Sequence, residues 1–400
     1  MRQDDDGEMD GTAKEMLIDV TRLLVRALQG RLPTGVDRVC VSYVRRYGAR
    51  SRAFVFKAGL GRVLETTPSQ EIFELLVNPV GGSFRRAARI IAPSLVRVSN
   101  GNESAGRVLF NVSHSGLDDL GYAEWLLRKK VRPVFMVHDL IPITHPEFCR
   151  DGESGRHALR MRAILKTGAG IVTYSKATFD ELRKFAKASG CAMPPAVVAP
   201  LGYGPFDGSE ISDTRYPLSD PYFVMLGTIE PRKNHWMMLQ VWRRIVERMG
   251  CSAPKLVVIG QRGWECENVV DLLERCTQLR GIVIELSDCC DAELSCWLRR
   301  ARALIFPSFE EGYGLPLLEA LSLGVPVIAG NLPVFREFAG DIPDYVDPLD
   351  GPAWINHIED YSLPDSPLRA AQLGRLPGFA APAWQDHFEA VDKLLEQIEN

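Results

Sequence analysis

The sequence predicts an α/β protein with two domains, each built around a parallel sheet. Short apolar runs alternate with helical patterns along the chain, and a stretch rich in glycine and proline near 200–210 separates two halves. Strands that alternate with helices at this spacing form parallel sheets covered by helices on both faces. The length of 400 residues also exceeds what a single hydrophobic core usually supports.

The second half shows this alternation most clearly. Its predicted strands lie at 222–226, 255–259, 282–286, 303–306 and 325–328. Helical patterns follow at 234–249, 267–279, 291–301, 315–323 and 334–339. We therefore predict a Rossmann-like domain over 206–383.

The first half repeats the pattern less clearly and is predicted as a second such domain over 15–205. Its predicted strands lie at 16–20, 53–56, 108–112, 133–137 and 170–174, and 59–106 is left unassigned. The acidic start, 1–14, is predicted to be a disordered tail. The last segment, 384–400, carries an apolar stripe at helical spacing and is predicted to be a terminal helix.

Composition excludes several classes of function. The net charge of −4 and pI of about 6.0 argue against a nucleic-acid-binding protein. No apolar run approaches the ~20 residues needed to span a bilayer, and no signal peptide opens the chain, so a cytoplasmic protein is expected. The nine cysteines include no C-x2-C pair, which favours reduced thiols over a zinc site.

The strongest functional signal lies in the turn and helix at 307–320. Gly314 permits close backbone approach, and the helix start that follows at Leu315 favours phosphate. Glu311 and Glu319 bracket that start, and carboxylates accept hydrogen bonds from hydroxyls. Solvated surface acids are the alternative, but open α/β sheets place their ligands at this point. The pattern therefore indicates a nucleotide-sugar site that includes Gly312 and Tyr313.

A second turn, 227–234, carries Arg232 and Lys233 directly before a helix that Asn234 caps. Exposed basic residues on a turn are the common alternative. Here the turn opens at the same sheet edge as Glu311, where cations could stabilise charge on a departing diphosphate. No Asp-x-Asp occurs in a sheet-end loop, so neither a metal nor any other cofactor is expected.

Candidates in the first half also follow predicted strands. His138 and Asp139 come directly after one, and Asp139 could orient an acceptor hydroxyl; a capping or core histidine is the alternative. Arg38 lies just after a glycine-containing turn and could be either a diphosphate partner or a surface residue. Ser175 is first a helix N-cap and only second a ligand contact.

The Glu311 and Glu319 pair resembles the E-x7-E signature of retaining GT-B glycosyltransferases of family 4. The resemblance implies two Rossmann-like domains facing across a cleft, with the terminal helix packed back on the N-terminal domain. It also implies that Glu319 binds the ribose and Glu311 the donor sugar. Arg232 and Lys233 would bind the diphosphate, and His138 would lie beside the anomeric carbon.

Two further details concern the same resemblance. Thr34, Gly35 and Arg38 fit the first glycine loop in its T-G-[IV]-D-R form, and Ser175 resembles a serine-bearing turn at the interdomain face. Thr228 departs from the family, because many members carry an arginine there. Whether Arg232 replaces that arginine is left open.

The sequences around His138 and Glu230 resemble members that use GDP-mannose in bacterial polysaccharide assembly. The expected partners are a nucleotide-sugar donor and a glycan or lipid-linked acceptor. A UDP-hexose donor, a nucleotide-sugar isomerase and a non-catalytic binding protein remain alternatives. Segment 82–100, with four arginines and no acid, suggests peripheral contact with the inner face of the membrane; an inward-packed surface helix is the alternative.

Overall fold

The computed structural model describes residues 15–30, 34–78, 90, 104–204, 218 and 221–399. The expected tail over 1–14 and nearly all of segment 82–100 lie outside the described residues, as does the linker beyond residue 204. The described chain forms two sheets, one in each half.

The N-terminal domain is built on a seven-stranded sheet. Its strands are β1 (Met16–Asp19), β2 (Ser51–Lys57), β3 (Leu60–Val63), β4 (Val108–Asn111), β5 (Arg132–Val137), β6 (Gly170–Thr173) and β7 (Ala196–Val198). They lie in the order β3-β2-β1-β4-β5-β6-β7, and neighbours pair in parallel except for the β2–β3 hairpin. The helices are α1 (Thr21–Leu28), α2 (Gly35–Tyr47), α3 (Thr66–Val77), α4 (Leu120–Lys129), α5 (Ile141–Thr144), α6 (Glu153–Thr167) and α7 (Lys176–Ala188).

The C-terminal domain is built on a six-stranded parallel sheet. Its strands are β8 (Tyr222–Leu226), β9 (Lys255–Ile259), β10 (Val283–Leu286), β11 (Leu304–Phe306), β12 (Val327–Gly330) and β13 (Asp344–Val346), in the order β10-β9-β8-β11-β12-β13. The helices are α8 (His235–Met249), α9 (Glu267–Arg275), α10 (Asp291–Arg300), α11 (Leu315–Ser322), α12 (Pro333–Ala339), α13 (Gly351–Ser362), α14 (Pro367–Arg375) and α15 (Trp384–Glu399).

The predicted fold class of two parallel-sheet α/β domains is therefore confirmed. The central strands are continuous apolar runs because helices cover both faces of each sheet. In β5, for example, Val134–Val137 are at most 1% exposed. Burial of this kind fixes the sheets, and the loops at the carboxyl ends of their strands then carry the polar residues.

Helix α15 packs on the N-terminal domain. A ring nitrogen of His387 lies 3.0 Å from the Tyr43 hydroxyl, and the other lies 2.9 Å from the carbonyl oxygen of Ala199. Asp392 accepts hydrogen bonds from Arg46 and Tyr47 at 2.7 and 2.8 Å. The apolar stripe of the helix thus lies on the N-terminal core and ties the end of the chain to it.

Candidate functional site

The loops that follow β5 and β11 meet across the cleft between the domains. A Cβ atom on Gly312 would lie 2.5 Å from the carbonyl oxygen of His138 and 3.1 Å from the Cβ of Asp139. Only glycine fits this approach. The closeness of the two loops brings the predicted residues of both domains into one site.

Glu311 lies at the centre of this site. Its Oε1 atom accepts hydrogen bonds from Lys233 Nζ at 2.5 Å and Ser308 Oγ at 2.7 Å, and its Oε2 pairs with Arg232 at 2.7 Å. Burial opposes ionisation of this carboxyl, but Arg232 and Lys233 outweigh it and lower the pKa of Glu311 to about 2. Glu311 is therefore an ionised carboxylate bonded by three side chains, and about one of its four acceptor positions is left for a further hydrogen bond.

The two predicted clamp cations are held differently. Arg232 donates to Glu230 Oε1 at 2.6 Å and to the carbonyl oxygen of Glu310 at 2.7 Å, besides its contact with Glu311. Burial opposes its charge, yet the surrounding carboxylates raise the pKa of Arg232 above its ordinary value. Its guanidinium is thus bonded within its own domain.

Besides its pairing with Glu311, Lys233 is packed against the ends of two strands. Its stem lies against Gly227, where a Cβ atom would be 3.3 Å away, and its ammonium group lies 4.9 Å from the centre of the Phe306 ring. Burial lowers the pKa of Lys233 below its ordinary value, although Glu311 opposes that shift. An ammonium group with a single described carboxylate partner can exchange that partner for a phosphate.

Glu319 lies one turn inside α11 and faces the N-terminal domain. Arg38 donates to Glu319 Oε1 at 2.7 Å and also pairs with Asp291 at the start of α10. Burial raises the pKa of Glu319 to about 7, although Arg38 opposes the shift. The carboxylate that the family resemblance assigns to ribose therefore contacts an arginine from the other domain.

Two helix starts face each other beside this pair. A Cβ atom on Gly35, the first residue of α2, would lie 2.9 Å from Leu315 Cδ1, the first residue of α11. Gly314 before α11 has φ +101°, a conformation that favours glycine. Thr34 caps α2 together with Asp37. The two turns that were predicted to bind phosphate therefore lie next to each other. Unpaired N–H groups at helix starts favour phosphate.

His138 is fully hydrogen-bonded within its own domain. Its Nε2 lies 2.6 Å from the carbonyl oxygen of Val112, and its Nδ1 lies 2.7 Å from the Tyr174 hydroxyl. A carbonyl can only accept, so Nε2 carries the proton and Nδ1 accepts from Tyr174. Burial lowers the pKa of His138 to about 4, which keeps the ring neutral. The adjoining Asp139 is the side chain of this pair that borders Gly312.

Two neighbouring histidines were not found by sequence reasoning. His114 lies 2.6 Å from the carbonyl oxygen of Met136, and His157 lies 3.0 Å from that of Asp139. The rings of His114 and His138 are 4.8 Å apart. Both histidines bond the backbone at the end of β5 and so position the loop of Asp139. His114 and His157 lie in separate segments of the chain and belong to no motif, so the sequence did not indicate this cluster.

The turn at Ser175 combines the predicted cap with an unpredicted contact. Ser175 Oγ accepts from the N–H of Thr178 at 3.1 Å, as an N-cap does, and lies 3.4 Å from the carbonyl oxygen of Gly312. Glu337 of the other domain accepts from the N–H groups of Lys176 and Ala177 at 2.7 and 2.8 Å. A carboxylate at a helix start is stabilising, so this contact helps hold the domains together.

Tyr313 and a group of aromatic residues make further contacts between the domains. The Tyr313 hydroxyl donates to the carbonyl oxygen of Leu201 in the N-terminal domain at 3.0 Å. On the other side of the cleft, the rings of Phe148 and Phe309 stack 5.3 Å apart, and Trp264 donates to the carbonyl oxygen of Phe148 at 3.3 Å. These contacts join the two domains near the loop that carries Glu311.

Within the described ranges, no group of three or more His, Cys, Asp or Glu side chains is arranged to hold a metal ion. In the same part of the chain, no helix is long and apolar enough to cross a membrane.

Two α/β domains, each built on a largely parallel sheet and meeting across a cleft, form a GT-B fold. Residues 220–361 match the family described as Glycosyl transferases group 1, so this part of the C-terminal half carries a domain of that kind. The crystal structure of Anabaena HepE in complex with UDP and glucose is similar to the whole chain, with a TM-score of 0.67 at 14% identity. That match covers 96% of this chain and 100% of the other.

Several curated relatives are named as mannosyltransferases, and others as D-inositol 3-phosphate glycosyltransferases. The O-antigen chain mannosyltransferase B of Escherichia coli is 31% identical over 255 residues, which cover 63% of this chain and 66% of that protein. The serotype-specific mannosyltransferase WbdA of Escherichia coli is 27% identical over 220 residues, which cover 51% of this chain and 26% of WbdA. The matched part thus spans about a quarter of WbdA.

Proposed function

We propose that the protein is a retaining, metal-independent glycosyltransferase that moves mannose from GDP-mannose to a glycan or lipid-linked oligosaccharide during surface polysaccharide synthesis. The observation that carries the proposal is the buried cluster in which Lys233, Arg232 and Ser308 all bond Glu311. The named mannosyltransferase relatives support the choice of sugar and of acceptor class.

The chemistry follows from the charges in the cluster. Cleavage of the bond between the anomeric carbon and the diphosphate leaves negative charge on the departing oxygen. Lys233 and the backbone N–H groups at the start of α11 would stabilise that charge as it develops. Glu311 accepts three hydrogen bonds within the protein and would also accept from hydroxyls of the donor sugar. Asp139 would face the acceptor across Gly312.

Closure of the cleft serves the same reaction. A site closed by contacts between the two domains excludes water, which strengthens its electrostatic interactions and limits hydrolysis of the donor. We place the protein in the cytoplasm, with the acceptor reached at the inner face of the membrane. Contact through 82–100 is part of this proposal.

A UDP-hexose donor is the second candidate, because the structurally similar HepE was crystallised with UDP and glucose. An isomerase would convert a nucleotide-sugar with no acceptor present, and a non-catalytic protein would bind one without turnover. Product analysis separates these alternatives directly.

The test is a thermal-shift screen with GDP, UDP, GDP-mannose, UDP-glucose and UDP-N-acetylglucosamine, each with and without EDTA. A ligand at 100 times its dissociation constant adds about 2.7 kcal/mol of stability. We expect stabilisation by guanine nucleotides that EDTA does not change. Stabilisation by uridine nucleotides alone would show that the donor is a UDP-sugar and not GDP-mannose. Loss of stabilisation with EDTA would refute metal independence. No stabilisation by any of the five ligands would contradict the nucleotide-sugar site.

A further inference from the structure

Arg38 crosses the cleft between the domains. It lies in the first turn of α2, and its guanidinium pairs with Glu319 at 2.7 Å and with Asp291, both in the C-terminal domain. Its side chain is 33% exposed, whereas that of Glu319 is 10% exposed. The arginine thus reaches from a partly open surface into the buried end of the candidate donor site.

The acidic residue next to Arg38 in the sequence is paired with other arginines, and Arg38 extends towards the cleft. Asp37, the adjacent carboxylate, pairs with Arg22 at 2.9 Å and Arg26 at 2.8 Å and bonds the Thr34 hydroxyl at 2.7 Å. The acid closest in sequence therefore has its own partners within the domain. The carboxylates that bond Arg38 come instead from α10 and α11, which belong to the other domain.

The other cations of the site do not suffice for a diphosphate. The Arg232 guanidinium bonds Glu230, Glu311 and the carbonyl oxygen of Glu310, and the surrounding carboxylates favour its remaining there. Lys233 supplies one positive charge, whereas a diphosphate diester carries two negative charges. The geometry favours Arg38 as the additional cation, because α2 and α11 begin against each other at Gly35 and Leu315.

We propose that Arg38 binds the donor diphosphate, and that it pairs with Glu319 and Asp291 only until the ribose hydroxyls of the donor take its place. This inference rests on the proposed function, since it assumes a nucleotide-sugar donor. Glu319 then bonds ribose in place of arginine, and the released guanidinium turns to the phosphates beside the start of α11. Because Arg38 belongs to the N-terminal domain, the diphosphate is fully neutralised only when the cleft is closed.

This exchange predicts opposite effects on two ligands. In an Arg38→Met variant, a diphosphate loses a cation, whereas a nucleoside no longer competes with arginine for Glu319. We expect the affinity for GDP to fall about tenfold to a hundredfold, the range for hydrogen bonds to charged groups. The affinity for guanosine should rise by up to about fivefold, since a partly exposed ion pair contributes little.

The experiment is a calorimetric titration of the full chain with guanosine and GDP, and in parallel with uridine and UDP. Arg46→Met is the matched control, because Arg46 lies on the same helix and pairs with Asp392 of α15, away from the cleft. It should leave both affinities unchanged. Arg38→Lys keeps the charge and should recover part of the diphosphate affinity.

The outcomes separate this inference from the proposed function. If wild-type protein binds a nucleoside diphosphate and Arg38→Met binds it equally well, this inference is wrong and the proposed function stands. Equal weakening of nucleoside and diphosphate, with no recovery in Arg38→Lys, indicates a structural role and also overturns the inference. Wild-type protein that binds neither diphosphate contradicts both.

Discussion

Replacing Glu311 by glutamine should destabilise the C-terminal domain, apart from any effect on catalysis. The carboxylate is buried and accepts hydrogen bonds from Lys233, Arg232 and Ser308. Glutamine keeps the shape and one acceptor oxygen but removes the charge. The variant therefore leaves two buried cations without their shared carboxylate, which is costly in a poorly hydrated site.

The size of the effect follows from the pKa of Glu311. A lowering from the ordinary 4.5 to about 2 corresponds to about 3 kcal/mol of stability at neutral pH. Since the pKa is lower in the folded state, this contribution is complete above pH 4.5 and is lost as the pH falls towards 2. The difference between wild type and variant should therefore narrow in acid.

Urea denaturation followed by circular dichroism at pH 7 and at pH 3.5 measures this difference. Glu310→Gln is the matched control, because Glu310 is the adjacent residue, contacts Arg232 through its carbonyl oxygen, and has its carboxylate 3.9 Å from His145 rather than in the cluster. We expect a clearly lower urea midpoint for Glu311→Gln than for the control at pH 7. Equal midpoints for the two variants would refute the assignment of Glu311 as the charge that holds the cluster.

Three further predictions concern other contacts of the same structure. Burial raises the pKa of Glu319 to about 7, so wild type should lose stability as the pH rises from 4.5 to 7. Glu319→Gln should therefore be more stable than wild type by about 1–3 kcal/mol in thermal denaturation at pH 8, with no gain at pH 4. Glu337→Gln should weaken the cap on α7 by about 1 kcal/mol and increase the radius of gyration in X-ray scattering; an unchanged radius would show that other contacts hold the cleft closed. His387→Ala should cost about 2–3 kcal/mol in urea denaturation, because the buried Tyr43 hydroxyl loses its partner, and a Tyr43→Phe background should reduce that cost.

The sequence was sufficient for most of the sheet strands and less so for the edges of the N-terminal domain. Buried parallel strands are nearly continuous apolar runs, so β5 and β8–β12 could be predicted directly. Helix α1 was missed because it begins one residue after β1, and its N-cap Val20 offers no side-chain cap. Hairpin strand β3 and helix α3 fell in the unassigned stretch 59–106, because β3 is a short edge strand.

For the site, the sequence identified residue types but not their partners. Glu311, Lys233 and Arg232 follow strand ends of one parallel sheet, so their proximity could be expected. The pairing of Arg38 with Glu319 joins residues 281 positions apart and depends on how the domains meet. The contact of Glu337 with α7 also depends on how the domains meet, so no local sequence pattern indicates it.

Transfer of labelled mannose tests the central claim most directly. The protein would be incubated with GDP-[14C]mannose and lipid extract from a bacterium that makes a mannose-containing surface polysaccharide, beside a Lys233→Met variant and the Arg46→Met control. We predict label in the glycan or lipid fraction with wild type and Arg46→Met, and almost none with Lys233→Met. Absence of label from both fractions with wild type, or equal transfer by Lys233→Met, would contradict the account.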